Sequence, residues 1–166
     1  MSIEQLHHLF LESTGICTDT RKLKKGNIYF ALKGDHFNGN DFAKKALDQG
    51  ASYVIIDEKQ DDLGQFMLVK EVLQTLQDLA IYHRNFLNTP IIALTGSNGK
   101  TTTKELINAV LSQKYITTAT VGNLNNHIGV PLTLLSMTKD TQIGIVEMGA
   151  NHQGEIAALS EIARPN

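Results

Sequence analysis

The stretch 91–103, IIALTGSNGKTTT, restricts the possible folds more than any other part of this chain. Ile91 to Leu94 form an apolar run with the length and character of a buried strand. Thr95-Gly96-Ser97-Asn98-Gly99-Lys100-Thr101 follows, and a helical pattern runs over 104–113. Strand, glycine-bearing turn, lysine, hydroxyl and helix, in this order, are the parts of a phosphate-binding loop. Gly96 and Gly99 let the backbone turn tightly and bring its N–H groups up to an anion. The helix that follows directs its positive end to the same point. Lys100 reaches the outer phosphates of a nucleotide, and Thr101 offers its hydroxyl to a magnesium ion. The loop is a shortened variant, with Leu94 where the common pattern carries its first glycine.

At 166 residues, with 42% hydrophobic and 19% charged residues, the chain can bury one ordinary core or two small ones. A net charge of −2 gives no bulk electrostatic footprint for nucleic acid. A single cysteine, Cys17, excludes an internal disulfide and reads as a small buried hydrophobe without an activating base. The start MSIEQLHHLF is unlike a secretory signal, and no apolar run reaches membrane-spanning length. A soluble cytoplasmic protein without membrane contact is expected.

Ser2 and Gln5 have capping-box spacing before a helix with Ile3, Leu6, Leu9 and Phe10 on one face, ended by Gly15. Strands are predicted over 27–32, 52–57 and 66–69. Residues 33–40 read as a loop, 41–49 as a short helix and 58–64 as a polar turn. A longer helix over 71–87 presents Val72, Leu76, Leu79, Tyr82, His83 and Phe86. Asn88-Thr89-Pro90 breaks the chain and divides it into domains 1–88 and 89–166. In the second, the helix after the phosphate loop is expected to bury Leu106, Ile107, Val110 and Leu111. Strands follow over 115–119 and 142–148, with a polar loop at 120–127 and short helices over 129–135 and 154–163. The pattern is α/β: a small N-terminal α/β domain, then the first part of a parallel, helix-covered sheet.

Loops that follow the strands of a parallel sheet gather at one edge, where ligands bind. The phosphate loop follows the first strand of the second domain, an asparagine-rich loop (TVGNLNNH) the second, and Glu147 ends the third. A carboxylate on a rigid strand facing bound phosphates is a metal-binding arrangement, so Thr101 and Glu147 are the expected magnesium ligands. Taken alone, Glu147 reads equally as a surface acid at a strand end, and the phosphate loop beside it favours the metal. Asn123, Asn125 and Asn126 either serve turn geometry or donate hydrogen bonds to a carboxyl or phosphoryl oxygen. His152 either orients a substrate or metal or is a polar loop histidine. The other histidines lack ligand spacing, which assigns no zinc site. Arg21, Lys22, Lys24, Lys25 and Lys33 flank one strand. They are either solvated charge or, with Asp19, Thr20 and the glycine loop 34–39, a diphosphate patch.

TGSNGKTT resembles the phosphate loop of the Mur ligases, the ATP-dependent amide-forming enzymes of peptidoglycan assembly. GNLNNHIGVPLTLL and IVEMGANHQGEIAALSEIARP resemble further motifs of that family, and TDTRKLKKGNIYFALKGDHFNGNDF is similar to its UDP-substrate domain. The resemblance implies a UDP-sugar domain at 1–88 and an incomplete ATP-binding domain at 89–166. It implies ligation of D-alanyl-D-alanine to UDP-N-acetylmuramoyl-tripeptide through an acyl phosphate, with ATP and Mg²⁺. On this correspondence Thr95, Gly96, Ser97, Asn98, Gly99, Lys100, Thr101 and Thr102 bind ATP. Lys100 and Glu147 are catalytic, and Thr101 and Glu147 hold the metal. Asp19, Thr20, Arg21, Lys33 and Gly34 fall in the nucleotide-sugar segment, while Asn123, Asn125, Asn126 and His152 lie toward the reacting carboxylate. Family members are far longer. The chain is therefore expected to be an N-terminal fragment, inactive alone, with the dipeptide site elsewhere and an open sheet edge that promotes self-association. Two other readings stay open: a related Mur or folylpolyglutamate-type ligase, and a nucleotide-binding regulatory module that never turns over ATP.

Overall fold

The structure, a computed structural model, describes residues 1–60 and 64–166, so the centre of the expected polar turn at 58–64 lies outside the described residues. The chain divides into two compact units, Met1–Leu79 and Ala80–Asn166.

The first unit begins with α1 (Ile3–Glu12), and its capping box is in place: Ser2 Oγ accepts the Gln5 N–H at 3.2 Å and Gln5 Oε1 accepts the Ser2 N–H at 2.9 Å. Such a cap contributes about 1 kcal/mol. Leu6, His7 and Phe10 are buried, while Leu9 is half-buried. The helix ends at Ser13 rather than Gly15, because the Ser13 hydroxyl and N–H both donate to the Phe10 carbonyl, at 2.8 and 3.1 Å.

Among the described residues six strands follow: β1 (Ile16–Cys17), β2 (Ile28–Phe30), β3 (Lys33–Gly34), β4 (Phe37–Asn38), β5 (Tyr53–Ile56) and β6 (Phe66–Leu68). β1, β2, β5 and β6 form a parallel sheet in that order. Residues 33–40 are not a plain loop, since β3 and β4 pair as a tight antiparallel hairpin. Two-residue strands are too short for an alternating pattern to announce them. A 3₁₀ turn over Gly39–Phe42 leads into α2 (Ala43–Asp48). Ala43 and Ala46 of α2 pack with Tyr29, Ala31, Val54 and Ile56, and their small side chains let the helix lie close to the sheet. Gly39 has to be glycine, because a Cβ there would sit 2.5 Å from the Leu32 carbonyl oxygen.

Helix α3 (Val72–Leu87) buries Val72, Leu76, Leu79 and Ala80 in turn. Beyond them the expected stripe is wrong in part: Tyr82 is half-buried and Phe86 is 46% exposed, whereas His83 and Arg84 are buried. The reason is hydrogen bonding within the second unit, to which His83 and Arg84 themselves belong. Arg84 donates to the carbonyls of Ala163 and Arg164 and to Asn166 Oδ1, at 3.0–3.2 Å. Burial depresses the His83 pKa, and the ring in its neutral form donates through Nε2 to the Met137 carbonyl at 2.9 Å. The division into compact units therefore falls after Leu79, before the break at Asn88, which itself stands in the left-handed conformation (φ 52°).

The second unit contains β7 (Ile91–Leu94), α4 (Lys100–Leu111), β8 (Thr117–Ala119), α5 (Gly129–Leu135), β9 (Ile143–Glu147) and α6 (Glu155–Ala163). Its sheet is parallel in the order β7-β9-β8, so the last strand in sequence lies in the middle. Val130, Leu134, Ile145, Val146, Leu159 and Ile162 are buried in its core. Each such side chain contributes roughly 1.5–3 kcal/mol on burial.

The expected inner face of α4 is mis-phased. Leu106 and Val110 are 63% and 71% exposed, and the fully buried residue is Lys104. The inward row runs Lys104, Ile107, Asn108 and Leu111, at helical spacing, and the aliphatic stem of the lysine fills the first position. A polar residue opening a buried row hides that row from a hydrophobicity pattern. Among the described residues no helix is long and apolar enough to cross a membrane.

Candidate functional site

Because β9 lies between β7 and β8, the segments leaving all three strands meet at its carboxyl end. Leu94 pairs with Glu147 and Ala119 with Ile145, which aligns those strand ends. Residues 95–99 leave β7 and enter α4 through Gly99, whose φ of 77° strains any residue that carries a Cβ. No side chain caps α4. Its first-turn N–H groups are left for an external acceptor, and the helix dipole favours an anion. Thr95, Gly96, Ser97, Asn98, Thr101 and Thr102 are exposed around this end. Lys100 Nζ donates to the Gly96 carbonyl at 2.7 Å, which lays the ammonium over the loop.

Glu147 is 1% exposed. Its Oε1 accepts from Asn125 Nδ2 at 2.8 Å and from Thr101 Oγ1 at 3.3 Å. Its Oε2 is buried without a hydrogen-bond partner. A carboxylate oxygen in that state is costly unless something positive meets it. A hard divalent cation fits this donor set, with the Thr101 hydroxyl and the Glu147 carboxylate as oxygen ligands.

The three asparagines divide their work. Asn125 holds Glu147, and its carbonyl accepts the Gly149 N–H at 2.7 Å. Asn126 Oδ1 accepts the Ile128 and Gly129 N–H groups at 3.1 and 2.9 Å, which shapes the entry into α5. Asn123 is exposed. His152 is also exposed, and its N–H, with that of Asn151, donates to Glu155 Oε2 at 3.1 and 2.6 Å in the turn before α6. Two residues escaped the sequence reading. Thr120 accepts the Glu147 N–H on its hydroxyl at 2.9 Å, and the buried Lys104 donates to the Thr120 carbonyl at 2.6 Å. The available signal was spacing, since Lys104 lies one helical turn beyond Lys100.

In the first unit Thr18, Asp19, Thr20, Arg21, Phe37, Phe42 and Lys45 line a cleft of about 510 Å³. Phe37 and Phe42 stack across 5.4 Å. Arg21 is not a spare cation, because Asp19 grips its guanidinium at 2.8 Å. The side-chain and backbone hydrogen bonds from Arg21 pull the Asp19 carboxyl down to about 2. Lys33 stands apart from this cleft lining and binds Asp57 at 2.8 Å and Glu58 at 2.9 Å, while Gly34 is exposed on the same hairpin.

That three-charge cluster predicts an acid-labile hairpin. Burial opposes ionisation of Asp57, but hydrogen bonds from Lys33 and Asn40 outweigh it and leave the carboxyl below its ordinary 3.8. Lys33, then Asn38, likewise lower Glu58 below 4.5. Groups with depressed pKa values stabilise the fold above their unfolded values and lose that contribution as pH falls through the folded ones. Exchange protection of the Gly39 N–H, which donates to the Leu32 carbonyl at 2.8 Å, should hold from pH 8 to about 5 and fall below about 4. In Lys33→Met this acid limb should shrink. An unchanged limb would mean that the cluster does not hold the hairpin.

Two family models match the chain: one described as "Mur ligase family, catalytic domain" over residues 12–83, and one described as "Mur ligase middle domain" over residues 94–166. The UDP-N-acetylmuramoyl-tripeptide–D-alanyl-D-alanine ligase of Bacillus subtilis (strain 168) is 43% identical over 155 residues, 92% of this chain and 34% of that protein. The ligase of the same name from Escherichia coli (strain K12) is 45% identical over 151 residues, 90% of this chain and 33% of that protein. Among solved structures, MurF from Acinetobacter baumannii is similar with a TM-score of 0.87 at 35% identity, over 99% of this chain and 38% of that one. The MurF ligase from Thermotoga maritima in complex with ADP gives 0.83 at 34% identity, over 93% of this chain and 36% of that one. The chain thus spans about a third of the length of the curated relatives it matches. With two models of one family accounting for both of its α/β units, this chain belongs to the Mur ligase family.

Proposed function

We propose that the protein acts in ATP-dependent ligation of D-alanyl-D-alanine to UDP-N-acetylmuramoyl-tripeptide, with 1–88 as the nucleotide-sugar domain and 89–166 supplying the phosphate-binding part of the ATP domain. One observation carries the reading: Glu147, buried with one oxygen unpartnered, is hydrogen-bonded to the Thr101 hydroxyl that follows the phosphate loop's lysine. In this reaction the tripeptide's terminal carboxylate attacks the γ-phosphorus and ADP leaves. The amine of the dipeptide then attacks the acyl carbon and phosphate departs, so the protein's task is to position reactants and neutralise charge. Magnesium, when bound, neutralises phosphate oxygens, and Thr101 with Glu147 would hold it. Lys100 and the open N–H groups of α4 bind and orient the phosphates. Asn125 orients the Glu147 carboxylate. In the first unit the cleft beside Asp19, Thr20 and Arg21 would take the nucleotide-sugar, with its stacked Phe37 and Phe42 offering an aromatic wall.

Calorimetric titration of the 166-residue chain with ADP, with and without Mg²⁺, and separately with UDP-N-acetylmuramoyl-tripeptide, tests this. ADP should bind more tightly with the metal, and Lys100→Ala should weaken ADP by roughly 10-fold or more, as loss of a charge-assisted phosphate contact does. The muramyl nucleotide should bind wild type and Lys100→Ala alike. ADP binding indifferent to both magnesium and Lys100 would sink the proposal.

A further inference from the structure

We infer that Lys104 is a positioning residue: it takes the Thr120 carbonyl out of the β8–β9 ladder, hands the Glu147 N–H to the Thr120 hydroxyl, and thereby sets the metal-binding carboxylate. The inference rests on the nucleotide-binding reading of this site.

The register is the first observation. Ala119 pairs with Ile145, so Thr120 stands opposite Val146. In a parallel ladder Thr120 should donate its N–H to the Ile145 carbonyl and accept the Glu147 N–H on its own carbonyl. The first bond is present at 2.9 Å. In place of the second, the Glu147 N–H goes to the Thr120 hydroxyl at 2.9 Å, while Lys104 Nζ takes the carbonyl at 2.6 Å. A side chain has displaced one rung of the sheet at the residue that carries the carboxylate.

The burial of Lys104 is the second. It is 1% exposed, and its ammonium also meets the Glu105 carboxylate at 2.8 Å, a side chain that is itself 63% exposed. A lysine is almost never this buried unless its ammonium is paired, and here one of the two partners is the Thr120 carbonyl that the ladder would otherwise use. Lys104 also belongs to the helix that presents Lys100 and Thr101 at its first turn. A single rigid element therefore grips the phosphates at one end and, one turn later, the residue that aims Glu147. Past Thr120 the chain runs directly into the loop bearing Asn125, the other group bonded to the carboxylate.

Backbone hydrogen exchange on the 166-residue chain reads this coupling without any ligand. In wild type, Thr120→Val removes the hydroxyl acceptor and should lower protection of the Glu147 N–H by about 10-fold or more. In Lys104→Met the carbonyl is free to return to the ladder, so adding Thr120→Val should change that protection less than about 2-fold. The Met148 N–H, bonded to the Leu94 carbonyl on the other side of β9, should keep its protection throughout. Equal effects of Thr120→Val in both backgrounds, or loss at Met148 alongside Glu147 in Lys104→Met, would overturn the inference by reducing Lys104 to a general support of the fold. A second measurement follows Mn²⁺-dependent ADP affinity. Lys104→Met should weaken its metal-dependent part by about 10-fold while sparing metal-free ADP binding, as loss of a partner behind a metal ligand does. Absence of metal-dependent ADP binding in wild type would defeat the ligase reading, and the exchange experiment would still decide what Lys104 does.

Discussion

Glu147→Gln is expected to abolish the magnesium-dependent part of ADP binding while leaving the second unit about as stable as wild type, or more so. The two halves of this result have one cause. Wild-type Glu147 is a buried carboxylate with one oxygen hydrogen-bonded to Asn125 and Thr101 and the other without a partner. Removing charge from such a site relieves a desolvation cost, so the neutral variant should unfold in urea within about 1 kcal/mol of wild type or later. The glutamine oxygen still accepts from Asn125, which keeps the loop in place. With its oxygen turned to Asn125, however, the glutamine puts an NH2 group, a donor only, where the free carboxylate oxygen stood, and the negative charge is gone. Loss of metal-dependent affinity should reach 10- to 100-fold or more, since removing mere supports of metal ligands already costs about that much. Calorimetry with ADP in magnesium and in a chelator reads the effect. Unchanged magnesium dependence would show that the metal is held elsewhere.

Gly129→Ala should damage the same site from a distance. Gly129 is buried at the start of α5, and a Cβ there would lie 2.3 Å from the Leu124 carbonyl carbon and 2.4 Å from its Cα. Both obstacles are backbone, so no side-chain rotation relieves them, and the 124–126 segment must move. That displacement pulls Asn125 from Glu147 and breaks its bond with the Gly149 N–H. Forced overpacking of this kind costs about 3 kcal/mol, and the second unit should lose that much in urea unfolding. Metal-dependent ADP affinity should fall with it. Gly154→Ala is the informative comparison. A Cβ there meets nothing, but φ is 85°, so the variant should lose about 1–2 kcal/mol to backbone strain with little change in ADP affinity. If the two alanines behave alike, close packing against Leu124 is not what Gly129 provides.

How legible these features were depends on how local their signals are. The capping box at Ser2 and Gln5, the strand, glycine turn and helix over 91–111 and the strand ending at Glu147 are each written within a few consecutive residues. The inner face of α4 was read out of phase because Lys104 buries a charged residue in a row that a hydrophobicity pattern expects to be apolar. Phe86 looked internal and is half-exposed, while Arg84 is internal because three acceptors at the end of α6 satisfy it. The hairpin at 33–38 was invisible because its strands are only two residues long. Lys33 looked like a free cation because Asp57 and Glu58 come two dozen residues later in the chain.

The amino-acid order alone determined the chemical inventory: a glycine turn entering a helix, a hydroxyl beside its lysine, an acid closing a strand, and α/β alternation that makes a parallel sheet the way to bury the apolar runs. These follow from spacing, which short-range sterics and helix or strand period translate directly into local shape. Only the tertiary structure decided which atoms meet. Placing β9 between β7 and β8 brings Thr101 within reach of Glu147 across 46 residues of chain, and it puts Thr120 where a lysine and a strand compete for its carbonyl. Such contacts depend on strand order and on the hydrogen bonds left over after the sheet has formed, and neither has a period that a linear sequence displays.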